Sequence, residues 1–389
     1  MQALFFDFGR AYIDSSDIDD VFLKNFPGEA KWNPLAPRED NIITNMEFTN
    51  DVPWIEPVRE IPSVSAEHLS DLTAAAAKLS GGIAVIGSAP ALLSIRAGVD
   101  YFAPRTAGRE IIFMTPDTRS HERNMKKLEG ADFSAVLIDN GELSPKERFI
   151  LDEVKALLRK KYAGEQRLYS FAPDSAGAFF MGSAFKGAAS ILSPPALFIL
   201  AACGIDIKEI AAGAELEPLP DSSFFIPQAC GDGGVGKEYI IPSSYTRIKY
   251  YSLIRHLMAQ RGKAIEIFRW LDPRLNGIAA WVKELFLENS PSLYADSIFL
   301  SGEEAALYAG EKNFFETFLD FGDCKSSVSE DIKSAGEMDA MNKSIMDDAV
   351  RKRSVKKVPV LRIEILSAEE YSYGSLAGFL FRTSRMSWH

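Results

Sequence analysis

Cysteine and histidine are scarce in this chain: three of the first (Cys203, Cys230, Cys324) and four of the second (His68, His121, His256, His389) among 389 residues. Three widely spaced thiols cannot close a full disulfide framework, and no two histidines lie close enough in sequence to suggest a zinc motif. No metal site is therefore expected. Long apolar runs are missing too. The longest, Pro194 to Cys203, is about half of what a membrane-crossing helix needs. The opening MQALFFDFGRAYIDSSD carries acids early and lacks a basic stretch before an apolar core, so no signal peptide is expected and cytoplasm is the default compartment. Positive charge is in deficit as well. With 43 basic against 54 acidic residues the net charge is -11, which argues against a general nucleic-acid binder. An anionic small molecule stays possible, because a local basic pocket can sit on an acidic protein.

What is present is ordinary soluble-protein material, 47% hydrophobic and 25% charged, in a chain too long for one common compact domain. Residues 1–80 read as an extension holding a short FFDF strand and an amphipathic helix over Ala66–Leu79. A strand–helix alternation follows. GIAVIG (82–87), REIIFMT (109–115), DFSAVLID (132–139) and RLYSFAP (167–173) are short apolar strand candidates. Ser88 can cap the helix after the first of them, with Pro90 in its first turn. A helix runs through Glu122–Leu128. The clearest helix is SPKERFILDEVKALLRKKYA (144–163), with a serine cap, proline at the first position and apolar spacing at Phe149, Ile150, Val154, Leu157 and Leu158. Such alternation predicts a mostly parallel sheet with helices on both faces.

The stretch from Glu217 to Ser244 is rich in Pro, Gly and Ser and reads as a linker. Beyond it the pattern resumes: a helix over Tyr245–Arg261, strand AIEIF (264–268), a helix over 275–289, strand DSIFL (296–300), a last strand PVLRIEIL (359–366) and a terminal helix. Residues 322–340, acidic and serine-rich, read as a loop. Two features are decoys. GDGGVGKE (231–238) nearly spells a phosphate-binding loop, but Glu238 replaces the needed hydroxyl and YIIPSSY does not start a helix, so a glycine-rich turn is the better reading. The run RKRSVKK (351–357) reads as a solvated surface.

Several blocks occur in one order and together resemble one family. SILSPPALFILAACGIDIKEIAAGAE (190–215), RGKAIEIF (261–268), DPRLNGIAAWVKELFLEN (272–289), GEKNFFETF (310–318), FFDFGRA near the start and EEYSYGSLAGFLF near the end are similar to glucose-6-phosphate isomerases. The resemblance implies an α/β fold of two sugar-isomerase (SIS) subdomains, each a mainly parallel sheet flanked by helices in three α-β-α layers. It also implies division at residues 1–216, 217–244 and 245–389, with no cofactor, and a homodimer acting on a small sugar or sugar phosphate. No membrane or nucleic-acid partner is implied.

Moving a carbonyl between C1 and C2 of a sugar phosphate needs a phosphate cradle, a ring-opening group, a base for the C2 proton and a cation for the enediolate. By resemblance Glu288 falls at the family's catalytic base; read from residue type alone it is a solvated glutamate at a helix end. The family's Ser-Lys-Ser-Gly-Thr-Thr phosphate turn corresponds to Ile138, Asp139, Asn140, Gly141, Glu142 and Leu143, with Ser144 following. A carboxylate about 4 Å from a phosphate costs on the order of 1–4 kcal/mol, so Asp139 and Glu142 oppose such a ligand. An upstream family turn corresponds to the residues around Gly87 and Ser88, which keep a helix start and a hydroxyl. Ala188 stands where the family has arginine, and Glu304 falls at the family's ring-opening histidine. Lys186, Lys237 and His389 are conceivable stand-ins for missing cations, each also readable as a surface residue. Two outcomes stay open: a slow isomerase, or a non-catalytic relative that binds a ligand or a subunit. An unphosphorylated or cationic sugar would suit the acidic loop better.

Overall fold

The structure, a computed structural model, describes residues 4–10, 64–139, 141, 143–163, 166–173, 175, 179–182, 185, 187–215, 222–226, 237–241, 246–263, 265–289, 313–322, 333–356 and 358–384. α1 (Ala66–Ala76) adds Leu69 and Leu72 to the main core. The first sheet contains β2 (Gly82–Ile86), β3 (Ile111–Met114), β4 (Phe133–Ile138) and β5 (Leu168–Phe171) in the order β3-β2-β4-β5, all parallel. β4 is buried at every position, the pattern of a strand covered on both faces. On one face lies α2 (Ala89–Tyr101), whose Leu92 and Ile95 join the main core. The other face carries α3 (Thr118–Gly130) and α4 (Pro145–Lys161), whose Leu128, Ile150, Val154, Leu157 and Leu158 join Ala84, Ile86 and Leu137. Phe149, expected among these, is instead 59% exposed. Its neighbour Ile150 takes the inward position, and one residue along a helix turns a side chain by about 100°.

The second sheet is β1-β10-β9-β8, formed by β1 (Leu4–Arg10), β8 (Ile265–Arg269), β9 (Phe314–Phe321) and β10 (Val360–Ile365). β8, β9 and β10 are parallel, and β1 closes the edge antiparallel to β10. α7 (Thr246–Gln260) and α10 (Glu370–Ser384) supply buried residues to the main core together with Phe268, Phe315 and Leu361 of the sheet. On the opposite face Met346 and Val350 of α9 (Lys333–Val355) pack on Phe318 and Val360. α9 corrects the expected loop, since residues 333–340 are its first two turns. Two short strands, β6 (Ser222–Ile226) and β7 (Lys237–Ile241), pair antiparallel inside the stretch read as a linker. The expected strand at 296–300 lies outside the described residues.

Between the sheets run the most apolar helices. α5 (Pro194–Ala202) is buried through Leu200 on all sides, the mark of a core helix. That is the fate of the longest apolar run, and no helix among the described residues is long and apolar enough to cross a membrane. α6 (Ile207–Ala214) and α10 meet backbone to backbone. A Cβ on Gly213 would lie 2.0 Å from the Tyr371 carbonyl oxygen, and one on Gly374 the same distance from the Ile210 oxygen. The last carbonyls of α6 are also capped from α10. Ser375 Oγ donates to Gly213 O (2.9 Å) and Arg382 Nη1 to Ala214 O (3.0 Å). Tyr373 of α10 packs its ring 5.0 Å from Tyr101 and 5.2 Å from Phe102 of the first half. The main core thus draws on residues from both sides of 217–244.

The second sheet also holds charge. Glu266 is fully buried and accepts from Arg255 Nε (2.7 Å), from Thr317 Oγ1 (2.6 Å) and from the Tyr251 hydroxyl. The Arg255 guanidinium lies 4.2 Å over the Phe286 ring of α8 (Asn276–Asn289). Burial pushes the Tyr251 hydroxyl well above the ordinary tyrosine range, and the Glu266 carboxylate beside it adds to the shift. On the opposite face Glu316, also fully buried, accepts from Arg269 Nε (2.8 Å) and Arg353 Nε (2.7 Å). Arg353 belongs to the basic run read as solvated, and its partner explains why one member of that run points inward.

Candidate active site

In the first sheet the chain passes from β2 outward to β3 and then back across β2 to β4. The connections leaving β2 and β4 therefore diverge to opposite faces, and the carboxyl ends of these two strands are the switch point at which open α/β sheets place a ligand crevice. Gly87 and Ser88 stand on one lip. A Cβ on Gly87 would lie 3.1 Å from Cβ of Ile138, so glycine lets the two strand ends close up. Ser88 is the N-cap of α2 in backbone position only: its hydroxyl makes no capping bond, and Oγ is buried with no hydrogen-bond partner among the described residues. The cap expected of Ser88 is thus not made by its side chain: the residue takes the extended backbone of an N-cap, but its hydroxyl forms no capping bond.

The other lip is the turn after β4. Asp139 Oδ1 accepts from the N–H of Gly141 (3.0 Å), which takes a left-handed φ of 83° that favours glycine. Ser144 opens α4 with a reciprocal box. Its hydroxyl accepts from the Glu147 N–H (3.4 Å), and the Glu147 carboxylate accepts from the Ser144 N–H (2.6 Å). Glu147 is 7% exposed. Two backbone donors at this turn are therefore already bonded to carboxylates of the chain itself.

Glu288 lies in the last turn of α8 and reaches across to a short 3-10 helix, Gly187–Leu192. Its Oε2 accepts from the Ala188 N–H at 2.9 Å. Ala188 is wholly buried, and its carbonyl accepts from Trp281 Nε1 (2.6 Å) and Ser94 Oγ (3.2 Å). Trp281 and Glu288 stand seven residues apart on α8, two helical turns on one face. Together they hold both ends of the Ala188 residue. Ser94 ties the same residue to α2, whose N-cap is Ser88.

Gly187 completes the seat. It has φ 53°, and a Cβ there would fall 2.5 Å from Glu288 Oε1. Gly187→Ala combines left-handed strain with a collision against the carboxylate, so it should destabilise the fold by about 1–3 kcal/mol. A urea titration comparing midpoints at constant slope measures that loss. A change under about 0.5 kcal/mol would contradict the seat.

Of the residues expected at the site, Glu288, Gly87, Ser88, Gly141 and Ser144 are described here. α2 connects the Gly87–Ser88 lip to the Glu288 seat, and Gly87 against Ile138 joins that lip to the turn carrying Gly141 and Ser144. Lys186, Glu304, Asn140 and Glu142 lie outside the described residues, as does His389; Lys237 begins β7. Sequence reasoning did not find Trp281, Ser94 or Glu147. The first two looked like ordinary helix positions; for Glu147, the spacing from Ser144 was a legible signal. Among the described residues no three His, Cys, Asp or Glu side chains converge as a metal site would require.

No family model matches the chain. Glucose-6-phosphate isomerases of Bacillus cereus (strain B4264) and Bacillus anthracis are 26% identical to it over 298 residues, covering 68% of this chain and 62% of each of theirs. The match thus spans less than two thirds of the length of these relatives. Among solved structures, a hypothetical protein from Thermus thermophilus has a TM-score of 0.61 at 14% identity, over 82% of this chain and 81% of that one. A glucose-6-phosphate isomerase from Chlamydia trachomatis has a TM-score of 0.55 at 11% identity, over 82% and 66%. These two likenesses establish a shared fold.

Proposed function

We propose that this chain, similar over 298 residues to glucose-6-phosphate isomerases, is a divergent member of that family whose crevice receives a small sugar or sugar phosphate, with Glu288 as the base facing C2. The observation that carries this reading is the seat of Glu288: a carboxylate held by a backbone N–H above a glycine whose left-handed φ and close approach disfavour a side chain. A base held in one place can shuttle a proton between adjacent carbons without searching for its geometry. The proposed setting is cytoplasmic, and the proposed assembly a homodimer.

The turnover proposed is slow. An isomerase must neutralise the enediolate, and the residue at the family's arginine position is Ala188, a methyl sealed in the core. Lys186 could supply charge nearby, but a flexible ammonium does not reproduce a planar guanidinium. In the loop after β4 the Gly141 and Ser144 N–H groups are already given to Asp139 and Glu147, so a phosphate would compete with carboxylates for them. Groups that act as a unit lose most of their effect when several are gone. These same observations favour a second reading, a non-catalytic relative that keeps the fold as a ligand-binding or subunit-interaction protein.

A coupled assay of fructose 6-phosphate and glucose 6-phosphate interconversion on pure protein separates the two. Under the isomerase reading turnover is measurable, and Glu288→Gln lowers it by at least about 100-fold, the scale of a lost general base. Equal rates in the two proteins would remove Glu288 from the mechanism. No turnover at all, at protein concentrations in the micromolar range, would leave the binding reading.

A further inference from the structure

The outer face of α3 carries Arg119, Arg123, Lys126 and Lys127, all exposed, with Glu122 among them, and these five residues line a shallow surface cleft. At 100° per residue they fall within one arc of the helix, and 119 to 127 spans about 12 Å of its length. The inward arc holds Asn124 and Leu128, both buried, so the basic stripe cannot rotate inward. Lys127 is tied to Glu110 at 3.0 Å. Arg119, Arg123 and Lys126 form no salt bridge or side-chain hydrogen bond among the described residues. This stripe sits on a chain of net charge -11, where a row of cations without salt bridges is out of character, even with the Asp117 carboxylate near enough to feel the charge of Arg119.

We propose that this face docks an acidic helical segment of a protein partner. Charge complementarity selects an anion, and the 12 Å row selects one with several charges, such as carboxylates at i, i+4 and i+7 of a helix laid alongside. Glu122 decides between kinds of polyanion. A phosphate chain presents negative charge everywhere and would run against that carboxylate, whereas a protein segment can place a lysine or arginine opposite it. The net charge of the chain further opposes a nucleic-acid duplex. Nothing in this inference depends on turnover at Glu288.

The test uses the full chain and a fluorescein-labelled alanine-based helix with glutamates at i, i+4 and i+7 and one lysine between them. Anisotropy should show saturable binding in about 50 mM salt that weakens by roughly tenfold in about 200 mM, as rim electrostatics are screened. Combining Arg119→Glu, Arg123→Glu and Lys126→Glu should abolish it while leaving the thermal midpoint unchanged, because all three side chains are exposed. Replacing the same three with Gln should weaken it, which guards against a reversal that misfolds. Absence of saturable binding, equal binding by the charge-reversed protein, or tighter binding of tripolyphosphate or duplex DNA than of the peptide would each overturn the proposal. So would loss of self-association in the variant with no loss of peptide binding, which would make the occupant a second copy of this chain.

Discussion

Gly374→Ala is expected to cost about 4 kcal/mol or more, lowering the thermal midpoint by roughly 10 °C or preventing soluble accumulation. The added methyl would sit 2.0 Å from the Ile210 oxygen, inside any possible contact distance, and the obstacle is backbone. A side chain could swing aside, but α6 can only be pushed bodily from α10. That separation would strip the caps Ser375 and Arg382 provide and loosen Tyr373 from Tyr101 and Phe102. Gly130→Ala is the matched control. Nothing lies within 4 Å of a Cβ there, so it should be neutral or stabilise by up to about 1 kcal/mol. Scanning calorimetry on the pair decides the matter. Similar midpoints for both would mean that α6 and α10 are not in backbone contact.

Glu266→Ala should be nearly as damaging, at about 3–5 kcal/mol. Removing this carboxylate leaves Arg255 charged at 6% exposure and takes a partner from the Tyr251 and Thr317 hydroxyls. Paired with Arg255→Met, the loss should shrink to a fraction of that value, because the buried cation that Glu266 neutralises is removed with it. A double-mutant cycle in urea reads the coupling. Additive losses would show that the guanidinium does not depend on Glu266.

How much of this could be read beforehand varied with the physics of each element. The first sheet was legible because its strands are short apolar runs and its longest helix opens with the Ser144 cap and Pro145. β9 was not named as a strand. It carries Glu316, Thr317 and Asp320, which argue for solvent until one knows that arginines from β8, α9 and β10 reach the two carboxylates and that Thr317 donates to Glu266. α9 was missed for a related reason: its first two turns mix Ser, Gly and acids, and its apolar contacts come later, at Met346 and Val350. At the site, Glu288 could be located only through resemblance, since a helix-end glutamate has no signature of its own. Its seat was invisible in sequence, because it is made by Gly187 and Ala188, a hundred residues away. The fold is established by its likeness to solved structures; the roles of the site residues rest on the assays above.

The docking of α10 against α6 bears on how the protein is made. Synthesis is vectorial, and the groove over Gly213 emerges from the ribosome more than 150 residues before Gly374 arrives to fill it. Through that interval a nascent chain shows apolar helix faces with no cover, the condition in which collapse onto neighbours competes with folding. Chain termination ahead of residue 370 would make the exposure permanent.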